Sequence, residues 1–421
     1  MKDSDDDTEI KDRRLCSGCI GEAFLRAEIE KEGQSGTCHY CGNSGLTVSI
    51  DEMADRIETV FEQHYQCTAT EPSSMEYAMI KDGDYDWERE GQPVVYAIAS
   101  AAEIDEAPAE DIRQVPEDRH SDFERDQMGE EGPFDEGSHY VEKEADDIEL
   151  QEDWRYFEDS LKTEARFFNG PGEAILKKVF EGLADHKVHD GKSIIVEAGP
   201  ATDMPALFRA RTFQSMTKLK EALKSPDKDI GSPPVGSALA GGMNARGISV
   251  FYGATNASVA IGEVRPPVGS RVVVGQFELL RKLRLLDVNA LRSVYVEGSV
   301  FDAEYIGQLE RARFLGRLSN HITMPVIPDD EPLDYLITQT IADYLANKSD
   351  AEVDGIIYPS VQGNEDGVNV VLFHKAARVE LRAIHPFLGE LLQRSSLRAL
   401  RLLRLTDRFQ PSESPMSYQL P

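Results

Sequence analysis

Long hydrophobic runs are missing from this chain of 421 residues. No apolar stretch approaches the roughly 18 residues that a membrane-spanning helix needs, so no membrane partner is expected. The opening MKDSDDDTEIKDRR is charged and lacks the apolar core of a secretory signal. A cytoplasmic location is therefore expected. Basic residues are short relative to acidic ones, 45 against 76, which leaves a net charge of −31. Such a surface repels phosphate backbones, so nucleic acid is not expected as a partner unless a local basic patch compensates. Cysteine is also sparse, with five in the whole chain. That is too few for a disulfide framework and fits metal ligation in a reducing compartment. What remains is a chain 40% apolar with a mean hydropathy of −0.41, which describes a globular protein of two to three domains.

Four of the five cysteines fall in two pairs. Cys16 and Cys19 form one CxxC, 18 residues follow, and Cys38 and Cys41 form the second. This is the spacing of a four-thiolate zinc site, in which each CxxC turn aims two sulfurs at one point. Four thiolates leave no open coordination position, so the expected role of the zinc is structural. The intervening EAFLRAEIEKEG has helical character, which places a helix between two knuckles. His39 lies inside the second CxxC turn and is expected outside the ligand shell. Cys67 is left over and reads as a half-buried thiol.

Around this module the chain shows a sequence of patterns. Ser49 to Tyr65 places Met53, Ile57, Val60 and Phe61 on one helical face, with Ser49 or Asp51 as N-cap. Ala102 to Asp153 is acidic with scattered Pro and Gly and reads largely as loop or solvated surface. Asp153 to Asn169 regains helical spacing, with Trp154, Phe157, Leu161, Ala165 and Phe168 on one stripe. A second helix is expected from Gly172 to Ala184. Strands are expected at 193–197, 207–213, 250–252, 271–279, 283–287, 355–358 and 368–373. Helices are expected at 301–318 and 335–348, and a basic amphipathic helix at 388–405. The corresponding boundaries are an acidic tail (1–14), an N-terminal domain with the cysteine module (15–170), a C-terminal domain (171–380) and a helical extension (381–421).

The chemistry-bearing residues cluster in the second half. Leu207-Phe-Arg-Ala-Arg211 puts Arg209 and Arg211 at i and i+2, one face of a strand, where two guanidiniums could grip a diphosphate. Gly241 to Val264 reads GGMNARGISVFYGATNASVAIGEV, a glycine-rich turn with Asn244 followed by Tyr252 and, eleven positions on, Glu263. Tyr252 alone reads first as a core tyrosine. Glu263 sits in the apolar AIGEV, where a carboxylate needs a reason. Ser360 ends the buried-strand pattern DGIIYPS, where a functional hydroxyl and ordinary turn chemistry both fit.

Together FRAR at 208–211, the 241–264 segment and DGIIYPSVQGNEDGVNVVLF at 354–373 resemble the RES domain, over roughly Ala198 to Arg378. The resemblance implies an α+β architecture, a mixed β core similar to ADP-ribosyltransferase toxins behind a mainly helical N-terminal domain. It implies Arg209, Tyr252, Glu263 and Ser360 as active-site residues, and NAD+ as substrate. On that reading Arg209, Arg211, Asn244 and Tyr252 contact the substrate. Met243 stands where many members carry a basic residue, so Arg211 or Arg246 would have to replace that contact. The implied activity is cleavage of the nicotinamide–ribose bond by a toxin or phage-defence effector, restrained by an antitoxin or immunity protein. The alternatives are transfer of ADP-ribose to a macromolecule and a noncatalytic nucleotide-binding protein. A homo-oligomer remains open. LCSGCIGEAFL, GTCHYCG and DWRYFEDSLKTEARFF resemble an N-terminal domain fused to RES domains and linked to the HEPN group. Arg113 and His120 fit that group's ribonuclease motif, but their setting reads as an acidic loop, so the match is taken as chance.

Overall fold

The computed structural model describes residues 9–83, 86–323, 331–360, 367–380 and 400–409. The chain divides into two compact units, Met1–Asp146 with Glu297–Glu310, and Asp147–Val296 with Arg311–Pro421.

The first unit opens with β1 (Arg14–Cys16), α1 (Ala23–Glu32), β2 (Gln34–Thr37) and β3 (Ser44–Ser49), whose strands pair antiparallel in the order β1-β3-β2. α2 (Ile50–His64) starts at a capping box, with Ser49 and Glu52 each satisfying the other's backbone N–H. Its expected face is the buried one: Met53, Ile57, Val60 and Phe61 all lie in the core. β4 (Tyr65–Cys67), α3 (Ser74–Asp82), β5 (Gln92–Pro93), α4 (Val94–Ala102), α5 (Glu106–His120), α6 (Phe123–Met128) and β6 (His139–Glu142) complete the unit, with a second small sheet ordered β4-β6-β5.

α5 takes fifteen residues of the acidic stretch, where helix was expected only in parts and loop or solvated surface in much of the rest. Its acidic residues hide a buried face of Pro108, Ala109, Ile112 and Pro116, and Arg113 is buried with them. Packing of that face outweighs the acidic composition and the internal Pro116. Cys67 is exposed rather than half-buried.

The second unit begins with α7 (Ile148–Thr163) and α8 (Gly170–Phe180) and continues through β7 (Lys187–Val188), β8 (Ile195–Ala198), β9 (Ala206–Phe213), α9 (Met216–Ala222), α10 (Pro226–Asp229), β10 (Phe251–Ala254) and α11 (Ala257–Glu263). Then come β11 (Arg271–Leu279), β12 (Leu283–Asp287), β13 (Val294–Tyr295), α12 (Tyr305–Thr323, in this unit from Arg311 on), α13 (Glu331–Asn347), β14 (Gly355–Pro359), β15 (Val368–Leu372), β16 (Val379–Glu380) and β17 (Leu400–Phe409). A nine-stranded mixed sheet runs β16-β17-β11-β9-β10-β15-β14-β12-β8. Successive residues of its strands feed opposite cores, as the period of two requires. Leu286, Ile356 and Val371 pack with Trp154, Phe157, Leu176 and Phe314, while Leu285, Ile357 and Val370 pack with Phe251 and Phe277. A smaller cluster joins Ala210, Val272 and Val274 to Val259 and Ala260 of α11.

Three sequence readings change here. The boundary at 170–171 falls inside this unit, because α7 packs its aromatic face on the unit's main core. That face runs from Leu150 through Trp154 and Phe157 to Leu161, and stops there: the helix ends at Thr163 and Phe168 is 97% exposed. The helix expected at 388–405 lies partly outside the described residues. Its described part, from Leu400 onward, is strand β17, which takes the open edge of β11 over the whole length of that strand. An edge of unpaired N–H and C=O groups overrides a helical leucine–arginine pattern.

Candidate functional site

The sheet is thinly paired between β9 and β10. β9 pairs with β11 over eight residues and β10 with β15 over four, yet β9 and β10 share a single pair, Ala254 with Phe208. Beyond that pair the Tyr252 carbonyl takes a side-chain donor instead, the Nη1 of Arg209 at 3.2 Å. The guanidinium also lies 5.3 Å from the centre of the Phe251 ring. α11, capped by the Asn256 side chain on Val259 N–H, ends at Glu263 beside this gap. The result is a pocket of about 80 Å³ lined by Phe208, Arg209, Tyr252, Ala260, Glu263 and their neighbours.

Each polar group here has a distinct environment. Arg209 has no carboxylate partner among the described residues. Burial, and then the like charge of Arg211, push its pKa down to about 10. The lowered value expresses an uncompensated charge, since a guanidinium stays protonated. Burial pushes the pKa of Glu263 up as well, opposed first by a 3.0 Å hydrogen bond from Asn369 Nδ2 and then by the charge of Arg265 and the Tyr358 hydroxyl. The Tyr252 hydroxyl donates to Asn244 Oδ1 at 2.9 Å and accepts from Met243 N–H at 3.0 Å. Its pKa is raised to about 12, chiefly by burial.

The glycine-rich turn exists to make that last contact. A Cβ at Gly241 would fall 2.8 Å from the Tyr252 hydroxyl. Asn244 closes the turn by donating to the carbonyls of Leu239, Ala245 and Ile248. From the other side, Gln339 of α13 donates to the Gly241 carbonyl at 2.8 Å.

The structure thus brings Arg209, Tyr252 and Glu263 to one pocket, with Asn244 supporting Tyr252 from behind. Arg211 is exposed and directed elsewhere, onto the Asp229 carbonyl. Ser360 follows β14 and is half-buried, and it is not among the residues that line the pocket. Asn369 and Tyr358 did not stand out from the sequence. The available signal was an asparagine inside the apolar VNVVL, a polar group that a buried strand carries only for a partner.

In the first unit, the Sγ atoms of Cys16, Cys19, Cys38 and Cys41 all lie within 4.8 Å of one another. Three of the separations are 3.6, 3.6 and 3.9 Å. A tetrahedral thiolate site with metal–sulfur bonds of ~2.3 Å has edges of ~3.8 Å, so the four residues fit a metal ion. His39 stands outside, its Nδ1 accepting from Arg14 N–H at 2.8 Å. Tyr40, in the second CxxC turn, donates to Asp111 of α5 at 2.6 Å, and Arg13 donates to the same oxygen at 2.8 Å.

A mixed sheet with a charged pocket at a thinly paired pair of strands defines an α+β domain. Residues 207–395 match the model of the RES domain, and this part of the chain is a RES domain. The match extends past the boundary drawn at 380. The family is associated with NAD-related enzymatic activity. No curated protein matches the chain. Among the described residues no helix is long and apolar enough to cross a membrane.

Proposed function

We propose that the RES domain of this chain degrades NAD+ by cleaving the bond between nicotinamide and ribose. The observation that carries this reading is one pocket lined by a guanidinium and a carboxylate that do not neutralise each other. Arg209 is anchored on the Tyr252 carbonyl and Glu263 on Asn369. A ligand with a diphosphate and a cationic nicotinamide riboside complements both charges.

The chemistry follows from the charges. Nicotinamide leaves neutral, taking the electron pair of the bond, and needs no proton. Positive charge then develops on the ribose, as in glycoside hydrolysis, and the Glu263 carboxylate stabilises it. Arg209 holds the diphosphate, Tyr252 walls the nicotinamide, and Ser360 contacts the nicotinamide-side ribose. Asn244 fixes Tyr252, and Arg211 is an outer phosphate contact. Water as acceptor gives a glycohydrolase and phosphate a phosphorylase; transfer to a macromolecule is the second reading. An antitoxin or immunity protein would restrain such an enzyme as a toxin or phage-defence effector. In the first unit, the four cysteines hold zinc in a structural role.

The test is product analysis after incubation with NAD+. Free nicotinamide together with ADP-ribose or its 1″-phosphate supports the reading and identifies the acceptor. Nicotinamide release that appears only with a modified macromolecule moves the assignment to a transferase. Binding of NAD+ without nicotinamide release overturns it in favour of a noncatalytic nucleotide-binding protein.

A further inference from the structure

Asn369 lies in the middle of the sheet, opposite Ala254 of β10 on one side and Tyr358 of β14 on the other. It is 1% exposed, in a strand whose neighbours Val370, Val371 and Leu372 are all apolar and buried. Its Nδ2 donates to Glu263 Oε2 at 3.0 Å, while its Oδ1 has no hydrogen-bond partner among the described residues. The amide orientation therefore has a single determinant. Turned over, the amide would set its oxygen against the carboxylate; as it stands, it donates a hydrogen bond to Glu263 and leaves its own acceptor orphaned. A buried amide that sacrifices one half to serve a carboxylate has no other visible purpose in the sheet. Tyr358 comes from the adjacent strand, opposite Asn369, and its hydroxyl is near enough to Glu263 to favour the carboxylate's charge, more weakly than Asn369 does.

We propose that Asn369, assisted by Tyr358, is the positioning residue that fixes the Glu263 carboxylate for reaction. The geometry of the clamp stands by itself; its place in the reaction rests on the NAD+-cleaving reading above. The clamp acts on a group whose charge is under pressure from burial. The other groups acting on Glu263 are Arg265, which favours its charge, and Tyr252, which lies near enough to feel it. A donor to the ionised form favours ionisation, so removing Asn369 Nδ2 raises the pH at which Glu263 loses its proton.

Two readouts separate this proposal from the reaction it serves. The first needs no NAD+: the Glu263 carboxyl carbon is titrated by NMR in the full chain, its signal assigned by loss in Glu263→Gln. Asn369→Leu moves the midpoint up by about one pH unit and Tyr358→Phe by less. Unmoved midpoints in both variants overturn the clamp. The second is the pH profile of nicotinamide release, whose acid limb moves up by the same amount in Asn369→Leu, with activity partly regained at higher pH. A loss equal at every pH would mean that Asn369 only supports the sheet, and overturns the positioning role. If Asn369→Leu does not fold, the Tyr358→Phe midpoint decides alone. Shifted midpoints in a protein that releases no nicotinamide would retain the clamp and reject the NAD+ reading alone.

Discussion

Arg113 in the first unit and Arg209 in the second are both withdrawn from solvent, and their surroundings are opposite. Arg113 is held by Glu110 at 2.7 Å, Glu117 at 2.8 Å and the Phe134 carbonyl at 2.8 Å. Every direction of its fork is answered within the fold, and its pKa is held above the usual arginine range by the bond to Glu110. Arg209 has one carbonyl and one aromatic face, and no carboxylate among the described residues. A cation answered in full stabilises the fold; a cation left unanswered beside a pocket is available to an anion that arrives from outside. The same contrast explains the spacing of Arg113 and His120. His120 bonds Glu58 on the exposed side of α2, and Arg113 is consumed by its own helix. Each therefore has an acidic partner within the first unit.

This contrast can be broken or sharpened in four ways. The largest effect is expected from metal removal. A structural zinc contributes on the order of 10 kcal/mol to a small module. Chelation, or Cys38→Ser, therefore accelerates hydrogen exchange across residues 14–49 by orders of magnitude. Exchange in β9 and β11 stays unchanged; slow exchange in both regions would show that the four thiols need no metal. Next is Arg209→Met, which lowers kcat/KM for NAD+ by about a hundredfold through loss of a charge-assisted contact. An unchanged kcat/KM would remove the diphosphate from this pocket. Arg113→Met destabilises the first unit by about 2 kcal/mol, read as a fall in denaturation midpoint, because it strands two carboxylates and a carbonyl. Its activity per folded molecule stays at the wild-type level. The smallest effect is that of pH. Burial raises the pKa of Glu263, so its charge is present above that pKa and lost as pH falls through it. The acid limb of nicotinamide release is thus expected above the ~4.3 of an ordinary glutamate. A limb at or below that value would show that a different group carries the charge.

Much of the sheet was legible because its strands carry strong local signals. RVVVGQFEL alternates and is rich in valine, and LFRARTF keeps its period despite two arginines, so β11 and β9 follow from pattern. β17 did not, because its leucines and arginines fit a helix, and its partner β11 lies over a hundred residues away in the chain. α5 was hidden by charge: nine charged or polar side chains matter less than a few apolar ones that meet a core. At the site, Arg209, Tyr252 and Glu263 could be singled out because polar residues in apolar segments need a reason. The Asn369 contact could not, because it joins residues 106 positions apart through a cross-strand register that local patterns do not encode.

The central claim is that Arg209 and Glu263 of the second unit, and not Arg113 and His120 of the first, carry the activity. The direct measurement is nicotinamide release from NAD+ by wild type, Glu263→Gln, and the double variant Arg113→Met/His120→Ala, each at equal folded concentration. The account predicts a fall of a hundredfold or more for Glu263→Gln, about the loss expected when one preorganised electrostatic group is removed, and wild-type release for the double variant. Equal release by wild type and Glu263→Gln, or a loss confined to the double variant, would contradict it.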